Sequence, residues 1–553
     1  MNSSSCLAIA RCLSACVLLA ALAPSAIQAA EPPRAKLVVA IAVDQFSADV
    51  FAEYRPLYQA GLKRLAGGVV FPRGHQSHAS TETCPGHSTI LTGARPARTG
   101  IIANDWQDPS LPRTENGHQT FLVYCVEKPG AAGSDASRKI LSHESLLVPT
   151  LGDRMKARDP RTRVVAVAGK DRSAIMLGGH HADLTLWWTA GGFVTYDDQG
   201  SSVPEEISGR LNANVRRSYG QPTVAKLPAA CASKSRETRI NSDISIGTLK
   251  SFPGNSKRWR ATPAMDAFTV DAALAAVRSL KLGGREATDV LAVSLSGTDY
   301  VGHYYGSEGA EMCTQQLALD QAIGRLLAAL DQLNIPYVVA MTADHGGVDA
   351  TERNRARGVT AAERLDTSLH PMNINAALAA ELQDLPKPIV LGTNEFANDV
   401  YLNADIPAAR RPGVLQAALS KYRQHPQVAA VFTKDELIAA APPSGLVDAW
   451  TLLERAKASF NPARSGDLIV LLKPYISLYS TVSNPDTDYT SSHGSAWDYD
   501  RRVPIVFWWQ GVNGFDQPTP IETVDIAPTL AKLIGLEVPA SEFDGRALPI
   551  VQP

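Results

Sequence analysis

Three predicted strands each end in an aspartate, and two of these aspartates have a histidine close by. Asp44 ends the run "VVAIAVD", Asp299 and His303 follow "LAVSLSGT", and Asp344 and His345 follow "VVAMTA". Ligands of open α/β sheets bind at the carboxyl ends of the strands, so these side chains could converge on one site. A single aspartate after a strand is more often a turn former or a helix N-cap, but the five residues together predict a shared site.

His493 of "SSHGSAWD" raises this set to three carboxylates and three imidazoles. Such a mixture of hard oxygen and borderline nitrogen donors suits two zinc ions that keep open positions for water and substrate. Two metal ions a few ångströms apart commonly assist in-line displacement at phosphorus, where one activates the nucleophile and the other takes up charge on the leaving oxygen. The sequence therefore predicts a two-zinc site for phosphate esters.

The stretch "TETCPGHSTILTG", residues 81–93, supplies a candidate nucleophile. Pro85 suits the first turn of a helix, which places Thr83 at the helix N-terminus, where free N–H groups and the helix dipole favour an anion. A threonine hydroxyl becomes a good nucleophile when a metal lowers its pKa. Taken alone, Thr83 would be an ordinary helix cap; together with the six metal-binding candidates, we predict that it attacks phosphorus and forms phosphothreonine.

The segments that carry these residues have the pattern of a βα fold. Short apolar, β-branched runs are each followed by a polar or glycine-rich turn and a helical pattern, as buried parallel strands usually are. One helical pattern lies within residues 313–333 and predicts a helix that faces the core with Leu319, Ile323, Leu326, Leu327, Leu330 and Leu333. The predicted strands are "KLVVAIAVDQF", "TRVVAVAGKDR", "DVLAVSLSGTDYVGH", "PYVVAMTADHGG" and "RRVPIVFWW".

Two stretches interrupt this βα pattern. Residues 183–260 are polar and irregular, and residues 350–490 read as mixed helix and loop. Segments of this kind often form lids and substrate walls, so we interpret both as insertions on a single sheet. The predicted fold is α/β, with a mostly parallel central sheet flanked by helices on both faces and one catalytic domain over residues 31–553.

The composition excludes some partners. The 553 residues contain 53 Lys and Arg against 55 Asp and Glu, a formal net charge of -2. Nucleic acid is attracted by a basic surface field, which so balanced a chain does not provide. We expect small molecules rather than nucleic acid as partners, and a monomer.

The N-terminus predicts export. One basic residue, Arg11, precedes an apolar stretch from Cys12 to Ala23, and small residues follow up to Ala30. This is the pattern of a secretory signal peptide over residues 1–30. Its apolar part is too short to span a bilayer, so we expect no transmembrane anchor and a periplasmic or secreted protein.

The mature chain would keep four cysteines, an even number in an oxidising compartment. Two disulfides have three possible pairings, and buried free thiols explain the same sequence equally well. The four residues are Cys84, Cys125, Cys231 and Cys313.

The motifs resemble a known family. "TETCPGHSTILTGARPARTGIIAND", the Asp44 strand end, "GTDYVGH", "TADHGG", "SSHGS", "VDIAPTLAKLIGL" and "DGRAL" are similar to the alkaline phosphatase superfamily. More narrowly, they resemble its secreted single-domain bacterial phosphatases with a threonine nucleophile, relatives of the nucleotide pyrophosphatase/phosphodiesterases. The likeness spans about residues 36–550 and implies the alkaline phosphatase fold. It also implies Asp299, His303 and His493 on one zinc, Asp44, Asp344, His345 and Thr83 on the other, and Asn104 on a phosphoryl oxygen.

The choice between monoester and diester depends on "AGKDRSAIM". A phosphate monoester has one more charged oxygen than a diester, so a monoesterase gains from cations placed over that oxygen. Lys170 and Arg172 follow a predicted core strand and resemble the Lys and Arg pair of the family's monoesterases. For an isolated charge cluster, a solvated turn would be the ordinary interpretation.

We therefore predict a zinc-dependent alkaline phosphatase that hydrolyses phosphate monoesters through phosphothreonine. The alternative is a phosphodiesterase or nucleotide pyrophosphatase that uses the same site. A non-catalytic zinc or phosphate binder is a third hypothesis, although a binder has no need of Thr83. Of the other histidines, we expect His87 to support the site, and His180 and His181 to be loop residues.

Overall fold

A ten-stranded sheet forms the centre of the protein. The computed structural model describes residues 35–115, 118–128, 130, 139–196, 203–220, 227–250, 255–393 and 398–550, so the predicted signal peptide lies outside the described residues. In chain order the strands of the sheet are β1 (Leu37–Val43), β2 (Val69–His75), β3 (Val164–Ala168), β4 (Leu184–Thr189), β5 (Gly192–Val194), β6 (Asp289–Leu295), β7 (Tyr337–Thr342), β8 (Arg502–Trp509), β9 (Phe515–Asp516) and β10 (Ile521–Glu522).

The predicted, mostly parallel sheet is confirmed. The strand order is β9-β2-β8-β7-β1-β6-β3-β4-β5, and β10 also pairs with β2. The neighbours β7, β1, β6, β3 and β4 are all parallel. The run "RRVPIVFWW" is strand β8, which pairs antiparallel with both β7 and β2. The carboxyl ends of the parallel strands consequently meet at one edge.

The central strands are apolar without alternation because both of their faces are covered. Every residue of β1, β6 and β7 is buried. Successive side chains of a strand point to opposite faces, so Val39 and Ile41 enter one apolar cluster, and Val38 and Ala40 enter the other. A strand of this kind needs helices on both sides.

Helices cover both faces of the sheet. Helices α1, α5, α6 and α7 contribute to the first apolar cluster, whereas α2, α3, α4 and α8 contribute to the second. These helices are α1 (Ala48–Tyr54), α2 (Thr83–Thr92), α3 (Leu151–Arg158), α4 (Asp171–Gly178), α5 (Ala264–Leu280), α6 (Gly297–Tyr305), α7 (Ala310–Asp331) and α8 (Ile526–Leu533).

Helix α7 is the helix predicted within residues 313–333. Five of its six predicted core residues are buried, from Leu319 to Leu330. The expectation for Leu333 is wrong, since this residue is 39 % exposed and lies beyond the helix end at Asp331. The apolar spacing continues past the point where the backbone leaves the helix.

The first irregular stretch begins inside the central sheet, because β4 and β5 form its edge. Its further elements pack on the first apolar cluster through Ile207, Val215 and Trp259. They are Ile207–Leu211, Asn212–Ser218, Ala229–Lys234, Ser256–Trp259 and a pairing of Thr238–Arg239 with Ser245–Ile246.

The second irregular stretch contains a separate four-stranded sheet. The interpretation as mixed helix and loop missed it because its strands are short and its helices separate them. In spatial order the strands are Val390–Leu391, Asp399–Leu402, Leu468–Leu472 and Val428–Thr433. The helices of the stretch are Thr351–Ala356, Pro371–Glu381, Arg411–Gln424, Lys434–Ala439 and Leu452–Ser459.

The remaining elements are short. Among the described residues, no helix is long and apolar enough to cross a bilayer. The short elements comprise helices Gly61–Leu65, Pro96–Thr99 and Asp498–Arg501 and the pairs Asp105–Gln107 with Leu122–Tyr124, Arg113–Glu115 with His118–Thr120, and Glu363–Arg364 with Ile476–Ser477.

The four cysteines of the described residues form two disulfides, a pairing that the sequence left open. Cys84 at the start of α2 is bonded to Cys125, which follows a short edge strand. Cys231 of the first irregular stretch is bonded to Cys313 of α7. One bridge therefore holds the N-terminus of α2, and the other attaches the irregular stretch to a core helix.

Substitution of Gly86 by alanine should damage the fold at α2. A Cβ atom at Gly86 would lie 2.0 Å from the carbonyl oxygen of Asp344, and a backbone atom cannot move aside as a side-chain tip can. We expect Gly86→Ala to lower the Tm and to remove most of the activity. Overpacking of this kind reduces stability by roughly 1–3 kcal/mol. Scanning calorimetry and a turnover assay measure both effects.

Gly413→Ala is the matched control, because a Cβ atom at this helical position meets nothing within 4 Å. Its Tm should be unchanged or slightly raised, as alanine favours a helix over glycine. If Gly86→Ala behaved like this control, close packing of α2 on Asp344 would not matter for stability.

Candidate active site

The carboxyl ends of three parallel strands bring three aspartates together. Asp44 follows β1, Asp344 follows β7 and Asp299 lies in the first turn of α6, just after β6. All three are at most 1 % exposed. The Nζ atom of Lys170 is 2.9 Å from Asp44 Oδ2 and 2.6 Å from Asp299 Oδ2. Lys170 thus pairs with two of the three buried acids.

Three histidines surround Asp299. The Nε2 atoms of His303 and His493 are 3.4 Å and 3.6 Å from Asp299 Oδ1. The ring of His345 stacks on that of His493 with their centroids 3.7 Å apart. Asp299, His345 and His493 each offer a donor atom within 4.8 Å of the other two, a separation that one metal ion can bridge.

The three imidazoles share an orientation that leaves Nε2 directed toward the acids. Each donates from Nδ1 to a backbone carbonyl, a contact that fixes the tautomer and orients the ring of a metal ligand. The acceptors are Ser491 O for His303 (3.0 Å), Thr81 O for His493 (3.0 Å) and Gly346 O for His345 (2.8 Å).

A second group of possible ligands contains Asp44, Asp344 and His87. His345 reaches this group too, since its Nε2 is 3.2 Å from Asp344 Oδ2. His345 therefore lies between both groups, whereas the family resemblance implied that it serves the Asp44 and Asp344 side.

His87 lies in this second group, although it was not among the predicted metal ligands. Its Nδ1 and Nε2 atoms bond to Thr83 O and Ser294 Oγ, both at 2.9 Å, so neither nitrogen is left over. Burial lowers the pKa of His87, but the charges of Asp344 and Asp44 outweigh burial and raise it to about 9. A protonated ring is a cation rather than a ligand, which agrees with the supporting role predicted for His87.

The predicted ligand residues fit a pair of divalent metal ions. Asp299 Oδ1, Asp344 Oδ2 and His345 Nε2 are buried and accept or donate no hydrogen bond within the described residues. Buried polar atoms without a partner are costly, so such atoms facing one another need another source of stabilisation. Carboxylate oxygen and imidazole nitrogen are donors that zinc takes.

The acids are held in their charged form. Burial raises the pKa of Asp299, but the nearby charges of Lys170 and His303 outweigh burial and leave it below the usual value. Asp44 shows the same balance of burial against Lys170 and His87. Ionised carboxylates are the form that binds a metal ion.

Thr83 is the first residue of helix α2, and Glu82 occupies the N-cap position. The ordinary interpretation of Thr83 as a mere cap therefore does not describe the structure. The Oγ1 atom of Thr83 is 3.3 Å from Lys170 Nζ and 3.5 Å from Arg172 Nη2. These are long contacts, and they place the hydroxyl within reach of two cations at a helix N-terminus.

Asn104 is fixed beside the start of α2. Its Oδ1 accepts a 2.9 Å hydrogen bond from Cys84 N, and its backbone N donates to Glu82 Oε2 at 2.7 Å. Because Oδ1 is occupied, the side-chain NH₂ group remains as a donor on a residue that lines the central cavity.

Lys170 and Arg172 stand at the start of α4, after β3. Lys170 is 3 % exposed, so the interpretation as a solvated turn does not describe it. Arg172 Nη1 lies 3.4 Å from the hydroxyl of Tyr124, which in turn donates to Asp171 Oδ1 at 2.7 Å. Tyr124 thus helps to hold Arg172 and Asp171 in place.

The cavity over these residues has a volume of about 270 Å³. Part of its lining escaped the sequence analysis, including one arginine and four tyrosines. The only local signals were the positions of Tyr300 beside Asp299 and of Tyr489 four residues before His493. These residues are Tyr124, Arg260, Tyr300, Tyr479 and Tyr489. His180, by contrast, bonds Asp153 and Leu146 O, away from the cavity.

Comparison with known proteins places this site in a family. The sequence profile of type I phosphodiesterases / nucleotide pyrophosphatases matches residues 38–496. The chain belongs to this family. It is an enzyme of the wider alkaline phosphatase superfamily, as the resemblance predicted.

Several relatives are alkaline phosphatases. The chain is 46% identical to alkaline phosphatase PhoD of Zymomonas mobilis over 93% of its own length and 88% of that protein. It is also 46% identical to alkaline phosphatase PhoK of a Sphingomonas species, over 95% and 92%. The crystal structure of alkaline phosphatase PafA superposes with a TM-score of 0.80 at 25% identity, over 94% of this chain and 99% of that one.

The two disulfides should affect different properties. The loops that these two disulfides close are long enough for each bond to add roughly 4 kcal/mol to the stability of the protein. The double variants Cys84→Ser/Cys125→Ser and Cys231→Ser/Cys313→Ser should therefore both lower the Tm. Only the first should also lower kcat/KM, because Cys84 follows Thr83 and Cys125 follows Tyr124.

Calorimetry and steady-state kinetics below the Tm of both variants separate these effects. The Cys231–Cys313 pair is the control, since it joins segments outside the catalytic residues. Equal losses of kcat/KM in both variants would contradict a specific role of the first bridge.

Proposed function

We propose that this enzyme is a zinc-dependent alkaline phosphatase that hydrolyses phosphate monoesters through a phosphothreonine on Thr83. The observation that carries the proposal is the position of Thr83 Oγ1, which lies within 3.5 Å of both Lys170 and Arg172 at a helix N-terminus. The buried carboxylate and imidazole cluster stands directly beside it. The names of the relatives support the same reaction.

Two zinc ions would be held by the six predicted ligands. Bound there, they would lower the pKa of the Thr83 hydroxyl and neutralise charge on the phosphoryl and leaving oxygens. The assigned residues are Asp299, His303 and His493 for one ion, and Asp44, Asp344 and His345 for the other. The ring orientation supports metal binding by these three histidines, because their Nδ1 atoms are engaged with backbone carbonyls.

The remaining residues act on the substrate. Asn104, Lys170 and Arg172 bind the phosphoryl oxygens while Thr83 Oγ forms a bond to phosphorus and the bond to the leaving oxygen breaks. Water then cleaves the phosphothreonine and releases inorganic phosphate. A monoester has one oxygen more to be neutralised than a diester, and the two cations of α4 supply charge for that oxygen.

The cavity and the N-terminus support the biological setting of the proposal. A cavity of about 270 Å³ accepts small phosphate esters rather than a polymer. The export signal over residues 1–30 would deliver the enzyme to the periplasm or the medium. We propose that it acts there as a monomer.

A second candidate function is phosphodiesterase or nucleotide pyrophosphatase activity at the same site. The description of the matched family favours it. Both functions need the same nucleophile and metal ligands. They differ in how much Lys170 and Arg172, the cations at the start of α4, contribute to catalysis. The kcat/KM of zinc-loaded enzyme for 4-nitrophenyl phosphate and bis(4-nitrophenyl) phosphate distinguishes them, and a preference for the diester would overturn the monoesterase.

Thr83→Ala should abolish turnover while the protein keeps its metal. The substitution removes the only proposed nucleophile, but it leaves all six carboxylate and imidazole ligands in place. We expect kcat to fall by at least about 10³-fold, as for other enzymes that lose their nucleophile. Metal analysis after dialysis should still find two zinc ions in each chain.

His303→Ala is a useful comparison, because it should lower both zinc content and activity. Retention of near-normal turnover by Thr83→Ala would exclude the phosphothreonine. Loss of zinc in Thr83→Ala to the level of His303→Ala would show a structural role for the hydroxyl instead.

Arg172→Ala should reduce monoester hydrolysis far more than diester hydrolysis. Arg172 reaches Thr83 but contacts none of the six carboxylate and imidazole ligands, so it tests charge at the phosphoryl group without disturbing those ligands. We expect kcat/KM to fall about 10²-fold for the monoester and less than tenfold for the diester. Arg158→Ala, at the exposed end of α3, is the charge-matched control. Equal losses for both substrates would contradict this role.

A further inference from the structure

One wall of the central cavity is aromatic. The ring of Tyr489 stacks on that of His303 with centroids 4.4 Å apart and an interplanar angle of 18°. Tyr479 packs edge-on against Tyr489 at 5.5 Å. Tyr300 lines the same cavity next to Asp299. Such a surface accommodates a flat group by stacking.

Arg260 adds a positive charge to this wall. Its guanidinium carbon lies 4.3 Å from the centroid of the Tyr300 ring, and its Nη1 donates to the Tyr300 hydroxyl at 3.3 Å. Its Nε donates to Lys257 O at 3.4 Å. In the described part of the chain, no carboxylate lies within ion-pair distance of Arg260. A half-buried cation without a counter-charge in a cavity is well placed to meet an anion.

The wall lies on the leaving-group side of the proposed reaction. His303, on which Tyr489 stacks, belongs to the predicted zinc site that does not include Thr83, and a zinc ion there would take up charge on the leaving oxygen. Tyr300 also contacts the phosphoryl side, since Lys170 Nζ is 5.3 Å from its ring centroid. Arg260 is therefore separated from the proposed phosphoryl-binding lysine by a single aromatic ring.

Acidic residues also line this cavity, namely Glu82, Asp105 and Asp299. Glu82 accepts a hydrogen bond from Asn104 N, and Asp299 is paired with Lys170. A negatively charged leaving group would be repelled by these carboxylates and attracted to Arg260.

We propose that Arg260 and the tyrosine wall form a leaving-group subsite that selects phosphate esters whose leaving group is planar and carries a carboxylate. The inference rests on the proposed function and adds to it the chemical class of the substrate. In this subsite the ring of the leaving group stacks on the tyrosines, and its carboxylate pairs with Arg260. Arg260 binds the leaving group and takes no part in bond making.

Two esters that differ only in charge test this selectivity. 4-Carboxyphenyl phosphate carries the anion, and 4-carbamoylphenyl phosphate has nearly the same shape and remains neutral. The measured quantity is the ratio of their kcat/KM values. We expect Arg260→Met to reduce this ratio about tenfold, the size of a partly buried ion pair, and Arg260→Lys to restore part of it.

Lys257→Met is the matched control. Lys257 is exposed on the short helix that precedes Arg260, and its side chain does not line the cavity. Its loss removes the same charge from the same segment and should leave the ratio unchanged. A purely structural role of Arg260 would lower both kcat/KM values together and leave the ratio constant, which would overturn the inference.

A binding measurement keeps this test independent of turnover. Calorimetry gives the Kd of 4-carboxybenzylphosphonate and 4-carbamoylbenzylphosphonate for zinc-loaded wild type and Arg260→Met. We expect the wild type to prefer the carboxylate and the variant to lose that preference. If neither ester is hydrolysed but the preference depends on Arg260, the proposed function fails and the subsite stands. An unchanged preference in Arg260→Met overturns the subsite whichever reaction the enzyme catalyses.

Discussion

The whole site depends on holding three ionised carboxylates close together in the interior. Asp44, Asp299 and Asp344 are buried, and their mutual repulsion and desolvation would by themselves favour protonation. Lys170 and His87 offset this cost. Lys170 pairs with Asp44 and Asp299. The ring nitrogens of His87 lie 3.2 Å from carboxylate oxygens of Asp44 and Asp344. A site with three ionised carboxylates is suited to binding divalent cations. Such cations could in turn attract a phosphoryl group.

The fold meets this demand by rigid backbone placement. Parallel pairing of β1 with both β6 and β7 fixes the three strand ends relative to one another. Helix α2 approaches so closely that Gly86 leaves no room for a Cβ atom against Asp344 O. Helix α2 and the acid cluster are therefore packed on each other directly.

The sequence predicted the parts of the site that are encoded locally. Strand ends at Asp44 and Asp344 follow from continuous apolar runs, and the start of α2 follows from Pro85. The sequence did not predict contacts between distant segments: the disulfide pairing, the short sheet of residues 390–472, or the placing of Arg260 against Tyr300. Those depend on tertiary packing, which leaves no periodic signal in a single chain. Leu333 is an opposite case, in which a local pattern was misleading. The apolar spacing continues to Leu333, although the helix ends at Asp331.

Reaction and selectivity come from different parts of the chain. Thr83 and the acids lie at the ends of central strands or at the starts of helices, where any shift would separate them from the charges that stabilise them. Tyr479 and Tyr489 come from the second irregular stretch, and Arg260 comes from the end of the first. These three residues lie outside the strands of the central sheet, so they can change without altering its register. A family that includes both phosphodiesterases and alkaline phosphatases can therefore keep one site at the strand ends and vary the residues that face the cavity.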